Sequence, residues 1–205
     1  MFNPVPVGKR IRYSYAKIKE VLDMPNLIEI QKNAEERAAK LSDAASAGVT
    51  FEEAKTHKKA LKEIIENKKH YLPLLLLADE QEDMIDLYLS RGTMYVLNDG
   101  GLKGECVVTD EGDGILEIKN LAVRQDSQRK GYGRQLVEFL ASTYKGKYSV
   151  LQVGTGDSLL TVPFYEKCGF IRSHVVKNFF KDNYDHPIYE CGHQLLDMIY
   201  LRRKL

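Results

Sequence analysis

The chain has few cysteines, almost no net charge and no long apolar run. Its three cysteines, Cys106, Cys168 and Cys191, form an odd and scattered set. That excludes a disulfide framework and predicts reduced thiols in a cytoplasmic protein. No metal-ligand spacing links these cysteines to the five histidines, so no metal site is expected. Lys and Arg number 30 against 29 Asp and Glu, a net charge of +1. A general nucleic-acid or membrane-surface binder carries a marked basic excess, so neither partner is expected. The longest apolar run, residues 72–78, is far too short to span a bilayer, and the opening MFNPVPVGKRIRY has no apolar signal core. What is present is 205 residues at 43% hydrophobic content, enough for one sizeable core and an appendage.

The first third reads differently from the rest. Residues 15–22 and 26–39 suit short helices, and residues 34–47 are rich in strong helix formers. Thr50 and Glu53 form a capping box for a helix over about residues 51–69. Residues 1–66 are thus expected to be a mostly helical extension of a domain spanning 67–205. From Tyr71 the pattern turns α/β. A buried apolar run at 74–77 precedes an amphipathic stretch at 80–90. Strands at 93–97 and 102–110 flank the hairpin turn Asn98-Asp99-Gly100-Gly101, and a second turn leads into a strand at 115–123. Strict alternation there puts Leu116, Ile118, Asn120 and Ala122 on one face and Ile115, Glu117, Lys119, Leu121 and Val123 on the other. A strand at 148–153 should pair beside it. A helix at 160–167 and strands at 170–178 and 194–202 complete the order.

The chemistry centres on the turn after the third strand. Gln128-Arg129-Lys130-Gly131-Tyr132-Gly133-Arg134 is basic and punctuated by glycine, and Leu136, Val137, Leu140 and Ala141 then recur at helical spacing. A helix N-terminus with unpaired N–H groups and a partial positive charge is a ready anion site. The Gly-Lys-Ser/Thr of triphosphate-binding loops is missing, and Leu136 stands where a dinucleotide fingerprint needs its third glycine. That weighs against a nucleotide-dependent oxidoreductase.

The segment LEIKNLAVRQDSQRKGYGRQLVEFL, residues 116–140, resembles the acetyl-CoA-binding core of the GNAT superfamily of N-acetyltransferases. Gln128, Arg129, Lys130, Gly131, Tyr132 and Gly133 match its Gln/Arg-x-x-Gly-x-Gly/Ala pattern. Downstream, Val162-Pro163-Phe164-Tyr165-Glu166-Lys167-Cys168-Gly169-Phe170 resembles a second element of that family. The resemblance covers about two-thirds of the chain. It implies a mixed, mostly antiparallel sheet that splays where the cofactor enters, flanked by helices. It implies acetyl-CoA as co-substrate and an amine acceptor, small molecule or protein, attacked directly in a ternary complex. Residues 8–33 separately resemble the N-terminus of bacterial RNA polymerase β subunits. A polymerase contact is one use such a segment could have, but no polymerase activity carries over.

Acetyl transfer to an amine needs a held pyrophosphate, a polarised thioester, a deprotonated amine and a stabilised thiolate. Residues 128–134 supply the first. Backbone N–H groups at Leu121, Ala122 and Val123 are candidates for the second. Glu117 resembles the general base of histone-type members; the alternative is a structural charge paired with Lys119. Tyr165 falls where the family often places a tyrosine near the coenzyme sulfur, as acid or hydrogen-bond donor; the alternative is a core aromatic beside Phe164 and Phe170. Cys168 is expected to pack rather than carry an acetyl group. Asp182, Asp185 and Glu190 would attract a cationic amine or simply sit in water. A non-catalytic CoA-binding module docking through its N-terminal helices is the alternative function, and a homodimer is compatible with either.

Overall fold

The computed structural model describes residues 60–205. The helices expected before Ala60, and the polymerase-like stretch at 8–33, lie outside the described residues.

Seven strands form one sheet in the order β1-β2-β3-β4-β5-β9-β6. These are β1 (Ala60–Ile64), β2 (Thr93–Asn98), β3 (Leu102–Asp110), β4 (Ile115–Val123), β5 (Val150–Gly156), β6 (Ile171–Val176) and β9 (Met198–Lys204). A small hairpin, β7 (Tyr189–Glu190) and β8 (His193–Gln194), stands apart from it. All pairings in the large sheet are antiparallel except β4 with β5. The meander forms because its turns are local. Asp99 N–H closes onto Gly101 O across the first turn, and the Asp110 carboxylate accepts Gly112 N–H at 2.8 Å in the second.

The helices are α1 (Leu72–Leu75), α2 (Glu82–Leu89), α3 (Tyr132–Tyr144), α4 (Thr161–Lys167) and α5 (Phe179–Asn183). Among the described residues no helix is long and apolar enough to cross a membrane. One face of the sheet is covered by α3 and α4, whose Leu136, Leu140 and Tyr165 pack on Ile118, Leu151 and Leu201. The other face is covered by α1 and α2, with Leu75 and Ile85 against Met94, Val96 and Val107. A third cluster joins Phe180, Ile188 and Leu195.

Four expectations need correction. Residues 60–64 are a strand, not the end of a helix reaching 69; they pair with β2 from Ala60↔Asn98 to Ile64↔Met94. Ladder bonding and packing of Leu61 and Ile64 override the helix propensity of ALKEI. The sheet therefore begins before the expected boundary at residue 67. The run at 74–77 is not wholly buried: Leu74 and Leu75 are, as part of α1, and Leu77 is exposed. The last strand runs to Lys204 rather than starting at 194. The faces of β4 are also not simply alternate. Val107 pairs with Asn120 and Val108 with Ile118, which leaves Lys119 as a bulge. One extra residue reverses the alternation. Leu121 and Val123 therefore join Leu116 and Ile118 against α3, while Asn120 and Ala122 turn to the α1–α2 face with Glu117.

Candidate active site

The bulge at Lys119 marks the place where the sheet opens. β4 and β5 pair in parallel from Ile115↔Val150 to Ile118↔Val153, and there the pairing stops. β5 continues to Gly156 held by β9, while β4 continues to Val123 held by β3. A cleft of about 1060 Å³ fills the divergence. On the β3 side, Arg124 N–H bonds Lys103 O at 2.9 Å and Ala122 N–H donates to the Glu105 carboxylate at 3.1 Å. Strand N–H groups alternate in direction, so those of Leu121 and Val123 point into the opening.

The basic turn closes one end of the cleft. A short 3-10 turn, Gln125–Ser127, leads to Arg129 at φ 58° and Gly131 at φ 84°. Gly131 is the N-cap of α3 and no side chain caps the helix. The first bond to its carbonyl comes from Gln135 N–H at 3.1 Å, so the N–H groups of Gly133 and Arg134 have no partner within the helix. Gly133 has a different reason to be glycine. A Cβ there would stand 3.2 Å from the Phe164 ring, so its bare backbone lets α3 lie against α4.

The charged side chains of the turn divide. Arg129 and Arg134 line the cleft, and Arg134 also donates to Lys167 O at 2.6 Å. Lys130 Nζ instead donates to Asp126 O at 2.8 Å, and Arg124 pairs with the Asp126 carboxylate at 2.9 Å. The Gln128 amide donates to Val123 O at 3.1 Å, fastening the turn to β4, and the Tyr132 hydroxyl donates to Asp99 at 2.9 Å.

Glu117 lies at the base of the opening, 5% exposed, with both oxygens engaged. Lys119 Nζ donates to Oε1 and Gln152 Nε2 to Oε2, each at 2.6 Å, and Arg202 Nε holds Gln152 at 2.7 Å. Tyr165 also lines the cleft from α4, with its ring edge-on to Phe164 and Phe170. Its hydroxyl has no hydrogen-bond partner among the described residues, and burial pushes the phenol well above its ordinary value. Cys168 is buried at the end of α4, and burial raises its thiol too, which suits packing rather than nucleophilic attack.

The profile of the acetyltransferase (GNAT) domain matches residues 90–172. The uncharacterized N-acetyltransferase YvbK of Bacillus subtilis is 38% identical over 131 residues, 62% of this chain and 84% of that protein. A GNAT family acetyltransferase from Elizabethkingia anophelis, solved with acetyl-CoA bound, is 35% identical with a TM-score of 0.69; the match covers 73% of this chain and all of that one. A Bacillus subtilis acetyltransferase solved with CoA is 35% identical with a TM-score of 0.66, covering 72% and 99%.

This chain belongs to the GNAT acetyltransferase family. Its mixed, mostly antiparallel sheet flanked by helices is what the family resemblance implies. A separate 40-residue stretch is 60% identical to the RNA polymerase β subunit of Acetivibrio thermocellus, but spans only 3% of that subunit, so no polymerase activity follows.

Sequence reasoning missed two acids of this GNAT domain: Glu105, buried beneath the cleft-lining strand, and Asp79, which lines the cleft itself. Glu105 is fully buried on β3, and burial pushes its carboxyl up to about 8. Asp79 receives hydrogen bonds from the hydroxyls of Tyr184 at 3.1 Å and Tyr88 at 3.4 Å, and burial pushes it up to about 6. Tyr88 accepts from the Asn120 amide at 2.9 Å. Asp182 and Asp185 are exposed and do not line the cleft, whereas Glu190 does. A charge placed at an otherwise apolar position of LKGECVVTD was the one available signal for Glu105; Asp79 and Tyr184 meet only through the fold.

Proposed function

We propose that this chain transfers the acetyl group of acetyl-CoA to an amine by direct attack within a ternary complex. The observation that carries the proposal is the open end of α3 facing the unpaired edge of β4. Main-chain N–H groups at 131–134 would meet the diphosphate, with Arg129 and Arg134 adding charge. Gln128, Lys130 and Tyr132 would hold the turn in shape, Lys130 through Asp126 O and Tyr132 through Asp99. The N–H groups of Leu121 and Val123 would align the acyl arm and the developing oxyanion; Ala122 would serve them through its bond to Glu105.

Glu117 would take the proton from the ammonium. An aliphatic amine with pKa near ~10 is mostly protonated at neutral pH, so this step limits attack. The nitrogen then bonds the acetyl carbon, the C–S bond breaks, and Tyr165 donates a hydrogen bond to the departing thiolate. A phenol kept protonated by burial suits donation better than full acid catalysis. The catalytic domain would begin no later than Ala60, since β1 completes its sheet.

The test is calorimetry with acetyl-CoA, followed by thiol release in the presence of an amine panel. Binding plus amine-dependent thiol release is expected. Binding without release from any amine would favour a CoA-binding module, and no heat of binding would end the proposal.

A further inference from the structure

Charge is segregated along the cleft. At the turn end its charged lining residues are Arg129, Arg134 and Lys167; at the opposite end they include the carboxylates Asp79, Glu80, Glu117 and Glu190. Lys119 and Arg91 also line the cleft, but both are committed. Lys119 Nζ lies 2.6 Å from Glu117 and 3.5 Å from Glu111, and Arg91 lies 2.6 Å from Glu111. Half-buried Glu190 makes no ion pair among the described residues. It stands close enough to Glu80 to add to the rise that burial imposes on that carboxyl, a rise His186 opposes. A positive charge placed between them would relieve the repulsion.

The same end is apolar in its walls. Leu87 and Tyr189 line its mouth at 69% and 58% exposure, with Phe180 and Ile188 buried behind them. Exposed apolar side chains grouped around a cavity mark a surface that covers a ligand. The floor also carries a buried polar group without a donor. Asn120 lines the cleft and is 2% exposed. Its amide nitrogen donates to Leu75 O at 3.0 Å and to the Tyr88 hydroxyl at 2.9 Å, which fixes the orientation of the amide. Its Oδ1 has no partner among the described residues. A buried acceptor without a donor is costly and is complementary to an N–H group.

We infer that the acceptor is a primary amine on an apolar, aromatic-sized body that carries no carboxylate. The inference rests on the function proposed above and narrows its substrate. The ammonium would be drawn to the acidic end, lose a proton to Glu117 and take the acetyl group, releasing CoA thiol. A free amino acid would bring its carboxylate beside Asp79, Glu80 and Glu190, where no uncommitted cation among the described residues meets it. Like charges brought together in a desolvated site are strongly disfavoured.

The experiment compares matched pairs on the full chain: phenethylamine with phenylalanine, tyramine with tyrosine, and spermidine as a polar polycation. kcat/KM for each amine should exceed that of its amino acid by at least about 100-fold, and phenethylamine should outrank spermidine. Glu190→Gln should raise KM for phenethylamine by about 3- to 10-fold with kcat nearly unchanged. Amino acids used within threefold of their amines would overturn the inference alone, as would a preference for spermidine; no turnover of any amine by protein that binds acetyl-CoA would overturn the parent proposal as well. Calorimetry on the same preparation separates the failures: no binding of acetyl-CoA ends the parent proposal and this inference with it, whereas binding and turnover with the wrong amine preference overturn the inference alone.

Discussion

The carboxylate of Glu105 accepts the main-chain N–H of Ala122 at 3.1 Å, so a fully buried acid on β3 is joined to the strand that lines the cofactor cleft. Its other oxygen has no partner among the described residues, and Tyr88, Cys106 and Tyr165 are the titratable groups that feel its charge. Burial raises its folded pKa from 4.5 to about 8. The folded chain thus keeps a proton that the unfolded chain releases above about pH 4.5. Stability from this group is fully present below that pH and is lost progressively up to about pH 8, a difference on the order of a few kcal/mol. Glu105→Gln preserves the shape and the acceptor for Ala122 without the ionisation. We expect the melting temperature of the variant to fall less than that of the native chain between pH 5 and 9. Parallel pH dependences, followed by circular dichroism, would refute this.

Gly133 and Phe164 test the packing of the turn proposed to hold the diphosphate. A Cβ on Gly133 would lie 3.2 and 3.3 Å from two carbons of the Phe164 ring. Gly133→Ala gains up to about 1 kcal/mol of helix propensity, but the Phe164 ring, held edge-on by Tyr165, must move by a few tenths of an ångström. A net cost of about 1 kcal/mol is expected, with weaker acetyl-CoA binding as α3 shifts. Phe164→Leu added to it should recover part of both losses, because the smaller side chain vacates the contact. Thermal melts and calorimetry check the pair; a double variant no better than Gly133→Ala alone would place the strain elsewhere.

The parts of the fold legible in the sequence were those set by near neighbours. The hairpins around 98–101 and 110–114 and the apolar stripe of α3 are local patterns, and the structure has them where expected. The strand at 60–64 was hidden because Ala, Leu, Lys and Glu favour helix, and its pairing partners in β2 begin at Met94, well beyond any local window. The bulge at Lys119 leaves no compositional trace, yet it decides which way Asn120, Leu121 and Ala122 face. Likewise the Asp79–Tyr184 bond spans 105 positions, so no window of sequence contains both ends. Glu117 was legible as a candidate base only through the resemblance, and its pairing with Lys119 was the alternative the sequence itself offered; that Gln152 holds its other oxygen required the parallel pairing of β4 with β5.

Tyr165→Phe removes one hydroxyl and nothing else. The ring stacks edge-on against Phe164 at 4.9 Å and Phe170 at 5.5 Å, contacts the substitution keeps. Because the hydroxyl bonds no described residue, stability should change by less than about 0.5 kcal/mol. Turnover should fall by about 10- to 100-fold if the hydroxyl meets the departing thiolate. Steady-state kinetics beside a melt makes the separation; full activity removes the role.

Glu117→Gln separates a base from a brace. In both roles the side chain must stay between Lys119 and Gln152, each 2.6 Å from it. A glutamine keeps the size and the acceptor for one of the two donors, sets its NH2 against the other, and cannot accept the ammonium proton. If Glu117 acts as base, kcat should drop by about 10²–10⁴-fold near neutral pH. The deficit should shrink as pH approaches the amine's own pKa near ~10, where free amine no longer needs a base. Acetyl-CoA affinity should hold, since the end of the cleft proposed to bind the diphosphate is untouched. A brace predicts another pattern: a loss of constant size at every pH, accompanied by weaker coenzyme binding as β4 and β5 relax. The pH–rate profile of the variant, set beside calorimetry with acetyl-CoA, distinguishes the two, and an unchanged rate across the range would remove Glu117 from the chemistry altogether.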